Sequence, residues 1–503
     1  MNLPNTGSSP QAPADLGPVG LESPAARQHA AFAAFQTARQ AHWDEVADRL
    51  AAWRGMGGYY HRRLAQVLQF LVPPGLRVLE IGCGDGQLLA SARPAFGLGV
   101  DFSAHMIGTA SRKHPELRFA QADAHRLCLV GTFDVVILSD LLNDVWDVES
   151  VLMQVRRVCH RRTRIIVNSY NRAWEPILGL ADRLGLAKPT LHQNWLSVED
   201  MRNLFYLSGF DVIRSWAEIL WPLNTPVVEP IMNRFAVRMW PLNVLALTHF
   251  LVARPAPEPG LPSPLPRVSV VVPCRNEAGN VDGIFRRVPS MGTGTELIFV
   301  EGHSTDQTYE VIQAAIRAHP ERQAILVRQP GSGKGDAVRT GFESATGDIL
   351  MVLDADLTVQ PEDLPRFYAG LASGKAEFAN GVRLVYPMQD EAMRFANWVA
   401  NRLFSQMFRW LLGQPVKDTL CGTKALWRDD YARIAGQRAY FGEFDPFGDF
   451  DLLFGAARQN LKIVDVPIRY QARTYGTTNI QRWRHGWLLL RMVVFAARRL
   501  KFI

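Results

Sequence analysis

Two carboxylates, Asp354 and Asp356, flank one alanine in "LDADLT", at the end of the apolar run "DILMVL". In an extended chain residues two apart project to the same side, so these acids share one small volume and repel each other. A hard divalent cation between them turns the repulsion into coordination. The spacing therefore predicts that Asp354 and Asp356 hold Mg²⁺ or Mn²⁺. Diphosphate oxygens would complete the shell, and the metal would neutralise charge on a departing diphosphate. A pair of turn acids after a strand has the same spelling, so the preceding segments decide.

Those segments read as nucleotide-site elements in order. "VSVVVPCRNEAGNV" runs a buried strand into Pro273, then Asn276 and Glu277. "IFVEGHSTDQT" puts Glu301 at a strand tip and opens a helix at Ser304, Thr305 and Asp306. Such a helix start is well capped, and its bare amides suit an anion. "GSGKGDAVRTGFESATGD" sets Lys334 in a glycine-rich turn that lacks the P-loop spacing. Downstream, "YFGEFDPFGDFDLLFGAARQ" carries Glu443, Asp445, Asp449 and Asp451. Asp449 opens a helical run and is the expected general base if the acceptor is a hydroxyl. A phosphate acceptor would need none, because its second pKa of about 6 leaves it largely dianionic at neutral pH.

The first half carries a different turn. In "VLEIGCGDGQLL" a buried strand ends at Ile81, followed by Gly82, Gly84 and Gly86. Glycines let backbone amides approach a ligand where a side chain would collide. The dinucleotide fingerprint wants a glycine where this chain has Gln87, which argues against a diphosphate cofactor. Asp101 ends the next strand and could accept two ribose hydroxyls. Asp123, in "AQADA", suits an adenine edge, and Glu80 belongs to the same candidate pocket. Asn143 and Asp144, in "LLNDVWD", could touch an acceptor, or merely cap a helix.

Short β-branched runs alternate with helical patterns on both sides of "RPAPEPGLPSPLPR". Proline at that density gives a stiff, extended spacer. The expected fold class is α/β, with two domains built on parallel sheets covered on both faces. The expected organisation is a flexible tail over 1–26, a first domain over 27–253, a linker over 254–266, a second domain over 267–479 and a basic amphipathic helix over 480–503.

From about His61 to Arg254 the chain resembles the class I S-adenosylmethionine-dependent methyltransferases, with a Rossmann-like fold. The late helix and strand "NWLSVEDMRNLFYLSGFDVI" and the closing strand "LALTHFLVARP" extend the likeness. The resemblance implies that Gly82, Gly84 and Gly86 shape the methionine-end pocket, Asp101 holds ribose and Asp123 adenine. Methyl transfer needs mainly in-line positioning, because the sulfonium is already activated.

From Arg267 onward the chain resembles glycosyltransferase family 2, of GT-A fold with a DxD motif. Within it, the likeness is to the dolichyl-phosphate mannosyltransferase and polyprenyl-phosphate glycosyltransferase branch. Pro273, Asn276 and Glu277 match its nucleotide-binding turn. "NGVRLV" with Arg383, "MRFANWVANRLFSQMFRWLLG" with Arg394, "VKDTLCGTKALWRDD" with Asp418 and Gly422, and "VPIRYQARTYGTTNI" with Arg473 match further on. The resemblance implies that Arg383, Arg394 and Arg473 grip phosphate, and that the sugar carbon inverts. Two positions depart from the family pattern. Glu301 and Gly302 stand where it has two aspartates, which leaves UDP and GDP both open, and Thr358 stands nearest its usual glutamine.

The implied protein is bifunctional. It moves a sugar from a nucleotide-diphosphate sugar to an acceptor, foremost a polyprenyl phosphate, and a methyl group from S-adenosylmethionine to an acceptor of unknown kind. The alternatives are a methyltransferase-like half that only binds, or a non-catalytic scaffold for envelope-glycan assembly.

Composition bounds the setting. Hydrophobic residues make up 48% and charged residues 20% of 503 residues, the profile of a folded chain. The five cysteines are scattered without a C-x-x-C, which reads as reduced thiols and no zinc site. No signal peptide is read at the N-terminus. The formal charge is +7, and after Asp465 the chain has no acid. There Trp483, Trp487, Leu490 and Val494 share a helical face, while Arg484, Arg491 and Arg498 recur on another. Tryptophan and arginine at helix scale suit an anionic membrane surface, or alternatively packing on the domain. Nucleic acid fits poorly, because no recognition motif accompanies the patch. The expected location is cytoplasmic, peripheral on the inner face of the cytoplasmic membrane.

Overall fold

The structure, a computed structural model, describes residues 24–49, 58–183, 191, 193–383, 395–440, 448–471, 473, 475 and 482–502. Two seven-stranded sheets organise them. The first holds β1 (Arg77–Ile81), β2 (Phe96–Asp101), β3 (Arg118–Gln121), β4 (Phe133–Ser139), β5 (Cys159–Tyr170), β6 (Phe210–Glu218) and β7 (Thr248–Pro255). Its order is β3-β2-β1-β4-β5-β7-β6. The second holds β8 (Val268–Cys274), β9 (Thr295–Glu301), β10 (Gln323–Arg328), β11 (Ile349–Val352), β12 (Phe378–Val382), β13 (Lys424–Trp427) and β14 (Ile463–Pro467). Its order is β10-β9-β8-β11-β13-β12-β14.

The apolar runs become the central strands. Val136, Ile137 and Leu138 in β4 and Val270, Val271 and Val272 in β8 are fully buried, as strands covered on both faces must be. Helices supply the cover: Val151, Leu152 and Val155 of the helix Val148–Arg157 pack into the first core.

The sheets are mixed, not wholly parallel as the sequence suggested. β7 runs against β5 and β6, and β13 runs against β11 and β12. An apolar run shows that a strand is buried, and it carries no sign of direction. The closing strand also begins only at Thr248, so Leu245 stands outside it.

In each sheet the strand order reverses next to the first strand, between β1 and β4 and between β8 and β11. Ligands of open α/β sheets bind at such reversals, outside the carboxyl ends of the strands. Both candidate sites fall there, at Gly82 after β1 and at Asp354 after β11.

The domains are docked, not spaced apart. Arg164 of β5 forks onto Glu377 at 2.9 and 2.8 Å. Arg254 of β7 reaches the same carboxylate at 3.6 Å and donates to the Gly374 carbonyl at 2.9 Å. All three side chains are buried. Burial would raise the Glu377 carboxyl, but Arg164 and Arg254 hold it below the usual carboxylate range.

The C-terminal helix Arg482–Leu500 buries Met492, Val493, Ala496, Ala497 and Leu500 in the second domain's core. Leu490 and Val494 remain exposed; the side chains of Trp483 and Trp487 lie outside the described residues. Among the described residues no helix is long and apolar enough to cross a membrane. All five cysteines are free.

Candidate active sites in the two domains

In the second domain the acid pair follows β11 and meets cations. Lys334, opening the helix Lys334–Glu343, stands 2.5 Å from Asp354. Asp356 accepts from Arg473 at 2.7 Å and from the Thr358 hydroxyl at 2.8 Å. Arg473 also reaches Glu277 at 3.3 Å, so one guanidinium ties the turn after β8 to the turn after β11. Burial alone would raise the Asp354 carboxyl; Lys334, with Lys424 and Arg383 behind it, holds it below its ordinary value.

The pair fills the place that a side chain at residue 422 would take. A Cβ on Gly422 would fall onto the Lys334 ammonium and the Asp354 carboxylate. Asp354 is still 26% exposed, so its oxygens remain reachable.

The upstream elements close around the same corner. Asn276 adopts a left-handed backbone and receives the Thr305 amide on its side chain at 2.8 Å. Asp306 accepts the Thr308 amide at 3.0 Å, and Thr308 accepts the Glu277 amide at 2.9 Å. Glu301 accepts the Ser304 amide at 2.5 Å. Burial outweighs Arg473 at Glu277 and raises its carboxyl. Pro273 sits in β8 opposite Val300 of β9.

In the first domain, Gly82, Gly84 and Gly86 all have positive φ, a backbone that other residues adopt only with strain. A Cβ on Gly86 would strike the Phe119 ring, whereas one on Gly84 would meet nothing. The amides of Gly84 and Ser103 each donate to Asp101 at 3.0 Å. Burial nonetheless keeps Asp101 above its ordinary value. Glu80 is buried, and its Oε2 has no hydrogen-bond partner. Burial raises its carboxyl well above the usual range. Asp123 accepts from His125 at 2.9 Å and from Gln36 of the helix Pro24–Arg49. Burial opposes its charge, but the His125 bonds win and hold it low.

Residues 56–215 match a methyltransferase domain, and residues 269–434 match glycosyl transferase family 2. The chain joins a methyltransferase domain to a family 2 glycosyltransferase domain. It is 26% identical to a dolichol-phosphate mannosyltransferase of Pyrococcus furiosus, over 43% of this chain and 59% of that one. It is 32% identical to an undecaprenyl-phosphate 4-deoxy-4-formamido-L-arabinose transferase of Pseudomonas aeruginosa, over 22% of this chain and 34% of that one. The chain thus spans little more than half, or less, of these curated relatives. A solved S-adenosylmethionine-dependent methyltransferase of Thermotoga maritima covers 43% of this chain and 99% of its own, at 17% identity and a TM-score of 0.36.

The glycosyltransferase domain gathers Asn276, Glu277, Lys334, Asp354, Asp356 and Arg473 into one cluster. Arg383 is held by Asp418 through bonds of 2.8 and 3.0 Å, beneath the Tyr470 ring. Burial would lower the Arg383 pKa, and Asp418 raises it instead. Arg394, Glu443, Asp445 and the side chain of Asp449 lie outside the described residues.

Some residues at these sites escaped the sequence reading. Lys424 is wholly buried, with Nζ on the Cys421 carbonyl at 2.6 Å; in sequence a lysine reads as solvated. In the methyltransferase domain Asp140, just after β4, receives Tyr60 at 2.8 Å and Asn168 at 2.7 Å. Tyr60 stacks on Tyr170. These residues lie far apart in the chain, and only the sheet order brings them together. Asn143 donates to the Asn194 carbonyl at 2.8 Å, and Asp144 accepts from Trp43 at 2.6 Å.

Proposed function

We propose that the glycosyltransferase domain transfers a sugar from a nucleotide-diphosphate donor to a polyprenyl phosphate, with Mg²⁺ or Mn²⁺ at Asp354 and Asp356. The partly exposed Asp354 carboxylate, paired with Lys334 against the side-chain-free Gly422, carries this reading. Two hard carboxylates one residue apart suit a small divalent ion that keeps water and phosphate in its shell. That ion would supply charge neutralisation for the departing diphosphate. Lys334 stands ready to face phosphate once Asp354 turns to a metal. Arg473 holds Asp356 and Glu277 in place, and Arg383, fixed by Asp418, orders the floor. A phosphate acceptor needs no base, which leaves Asp449 a role only if the acceptor is a hydroxyl. The acceptors named by the two relatives favour the phosphate.

The methyltransferase domain, on this reading, binds S-adenosylmethionine and methylates a second acceptor. The unpartnered Glu80 oxygen fits the cofactor's cationic end, and the open face at Gly84 fits its close approach. Asp101 and Asp123 stand at the next two strand ends for ribose and adenine. Tyr60 and Asp140 form the polar wall on the acceptor side. The C-terminal helix, with Arg491 and Arg498 exposed, would rest on an anionic membrane surface at its cytoplasmic face.

The test is incubation with a panel of UDP- and GDP-sugars, Mn²⁺ and polyprenyl phosphate in vesicles, read by mass spectrometry. A glycosylated polyprenyl product that Asp354→Ala fails to make supports the proposal. Consumption of the donor only with hydroxyl acceptors, or unchanged turnover in Asp354→Ala, contradicts it.

A further inference from the structure

Residues 219–247 connect β6 to β7 and expose an unusual surface. Nine large apolar side chains between Val227 and Leu245 are each at least 40% exposed, whereas scattered single ones are the norm for a soluble surface. Trp240 is 81%, Val227 69% and Met239 60% exposed. The segment is nevertheless built. Buried Asn233 receives the amides of Leu220 and Trp221 at 2.8 and 2.7 Å and donates to the Trp221 carbonyl at 2.7 Å. Val237 and Ala246 pack with Ala217 and Leu220 beneath it.

The exposed charge at this surface includes Arg234; Glu229 is half-buried between Val228 and Ile231, and Arg238 is buried on Glu218. Exposed Arg234 donates to the Phe502 carbonyl at 3.0 Å, and Phe235 lies 5.1 Å from the Phe502 ring. The apolar surface is therefore continuous with the basic end of the C-terminal helix, where Arg498 and Arg499 are exposed. Exposed tryptophan and aliphatic groups beside arginines match the boundary of an anionic bilayer.

Its place in the fold brings it next to Tyr60 and Asp140. Thr248 pairs with Tyr170 and Glu218, at the end of the sheet where Asp140 follows β4. Asn171 donates to the Val244 and Ala246 carbonyls at 2.8 Å, and Trp174 to the Leu245 carbonyl at 2.8 Å. Tyr170 stacks on Tyr60, which donates to Asp140. The exposed surface thus adjoins the polar wall of the methyltransferase site.

We propose that the 219–247 segment seats the methyltransferase domain on an anionic bilayer, so that its methyl acceptor is a lipid-anchored molecule. The second clause rests on reading that domain as an active methyltransferase; the first does not. Full-length protein is sedimented with vesicles of phosphatidylcholine alone, or of phosphatidylcholine with phosphatidylglycerol. Trp240→Ser combined with Met239→Ser is expected to cut binding to the anionic vesicles about 10-fold or more. S-adenosylmethionine should still raise the melting temperature of that variant, which keeps folding and cofactor binding separate from membrane binding. Arg491→Gln with Arg498→Gln tests the helix alone. Wild-type sedimentation by the Trp240 variant, or self-association through this surface without vesicle binding, would overturn the seating. Labelled methyl from S-adenosylmethionine is then chased into a lipid extract. Label in the organic phase supports the acceptor class; S-adenosylmethionine binding with label only in water-soluble products overturns it. No binding of S-adenosylmethionine at all would instead defeat the underlying methyltransferase reading.

Discussion

Lys334 and Asp354 form an ion pair 2.5 Å long, and the absence of a side chain at Gly422 leaves both groups room. The pair explains how two acids one residue apart are tolerated: Lys334 faces one and Arg473 the other.

The first prediction concerns that pair. Asp354→Asn is expected to lower sugar-nucleotide turnover about 100-fold or more, the scale of removing a group that stabilises leaving-group charge. Turnover is measured over a range of Mn²⁺. The wild type should need the ion, and the variant should not recover at high concentration.

Gly422→Ala tests the close fit of the pair against Gly422. Its new Cβ must displace Lys334 or Asp354, so kcat/KM should fall about 10-fold or more. The melting temperature and S-adenosylmethionine binding should stay near wild type.

How much of this was legible in the sequence depends on what each residue's spelling carries. The buried strands and the glycine turn after β1 are local patterns and lie where the sequence placed them; the acid pair follows β11 but sits in a turn, one acid facing Lys334 and the other Arg473. Strand direction is not local, so the reversal of β7 and β13 was invisible. Nor could the sequence show that Arg383 is engaged by Asp418, or that Arg473 spans Glu277 and Asp356; such pairings join segments far apart. Lys424 reads as solvated until the fold buries it. Leu245 reads as a strand residue and stands exposed, because the ladder with β5 starts at Thr248.

The domain interface yields a stability prediction. Glu377→Ala leaves Arg164 buried without its carboxylate and Arg254 with that of Asp211 alone, which should cost about 3–5 kcal/mol, read by urea denaturation at neutral pH. Because the folded carboxyl is held low, its contribution is complete above its ordinary value. It is lost as pH falls through the lower folded value. Glu377→Gln should flatten that acid limb.

The methyltransferase pocket can be probed by heat. S-adenosylmethionine should raise the melting temperature of the wild type. Asp101→Ala should abolish the rise, and Glu80→Gln should diminish it by replacing the buried carboxyl that faces the cofactor's cationic end. Tyr60→Phe should keep the rise and slow methyl transfer.

Lys501 titrates in an accessible range. Burial, with Arg238 and Arg214 nearby, pushes its ammonium down to about 7. The unfolded chain therefore holds more protons than the folded one above that value, and stability should rise as pH increases from about 7 toward the ordinary lysine value near 10.4. Lys501→Met should remove that rise in melting curves taken across the range.

The most direct measurement is binding of a nucleoside diphosphate by calorimetry, with and without Mn²⁺, in the wild type and in Asp354→Asn. A metal ion held by Asp354 and Asp356 predicts tight binding only with Mn²⁺ in the wild type and weak, ion-independent binding in the variant. Equal affinity in both proteins, with or without the ion, would contradict the account.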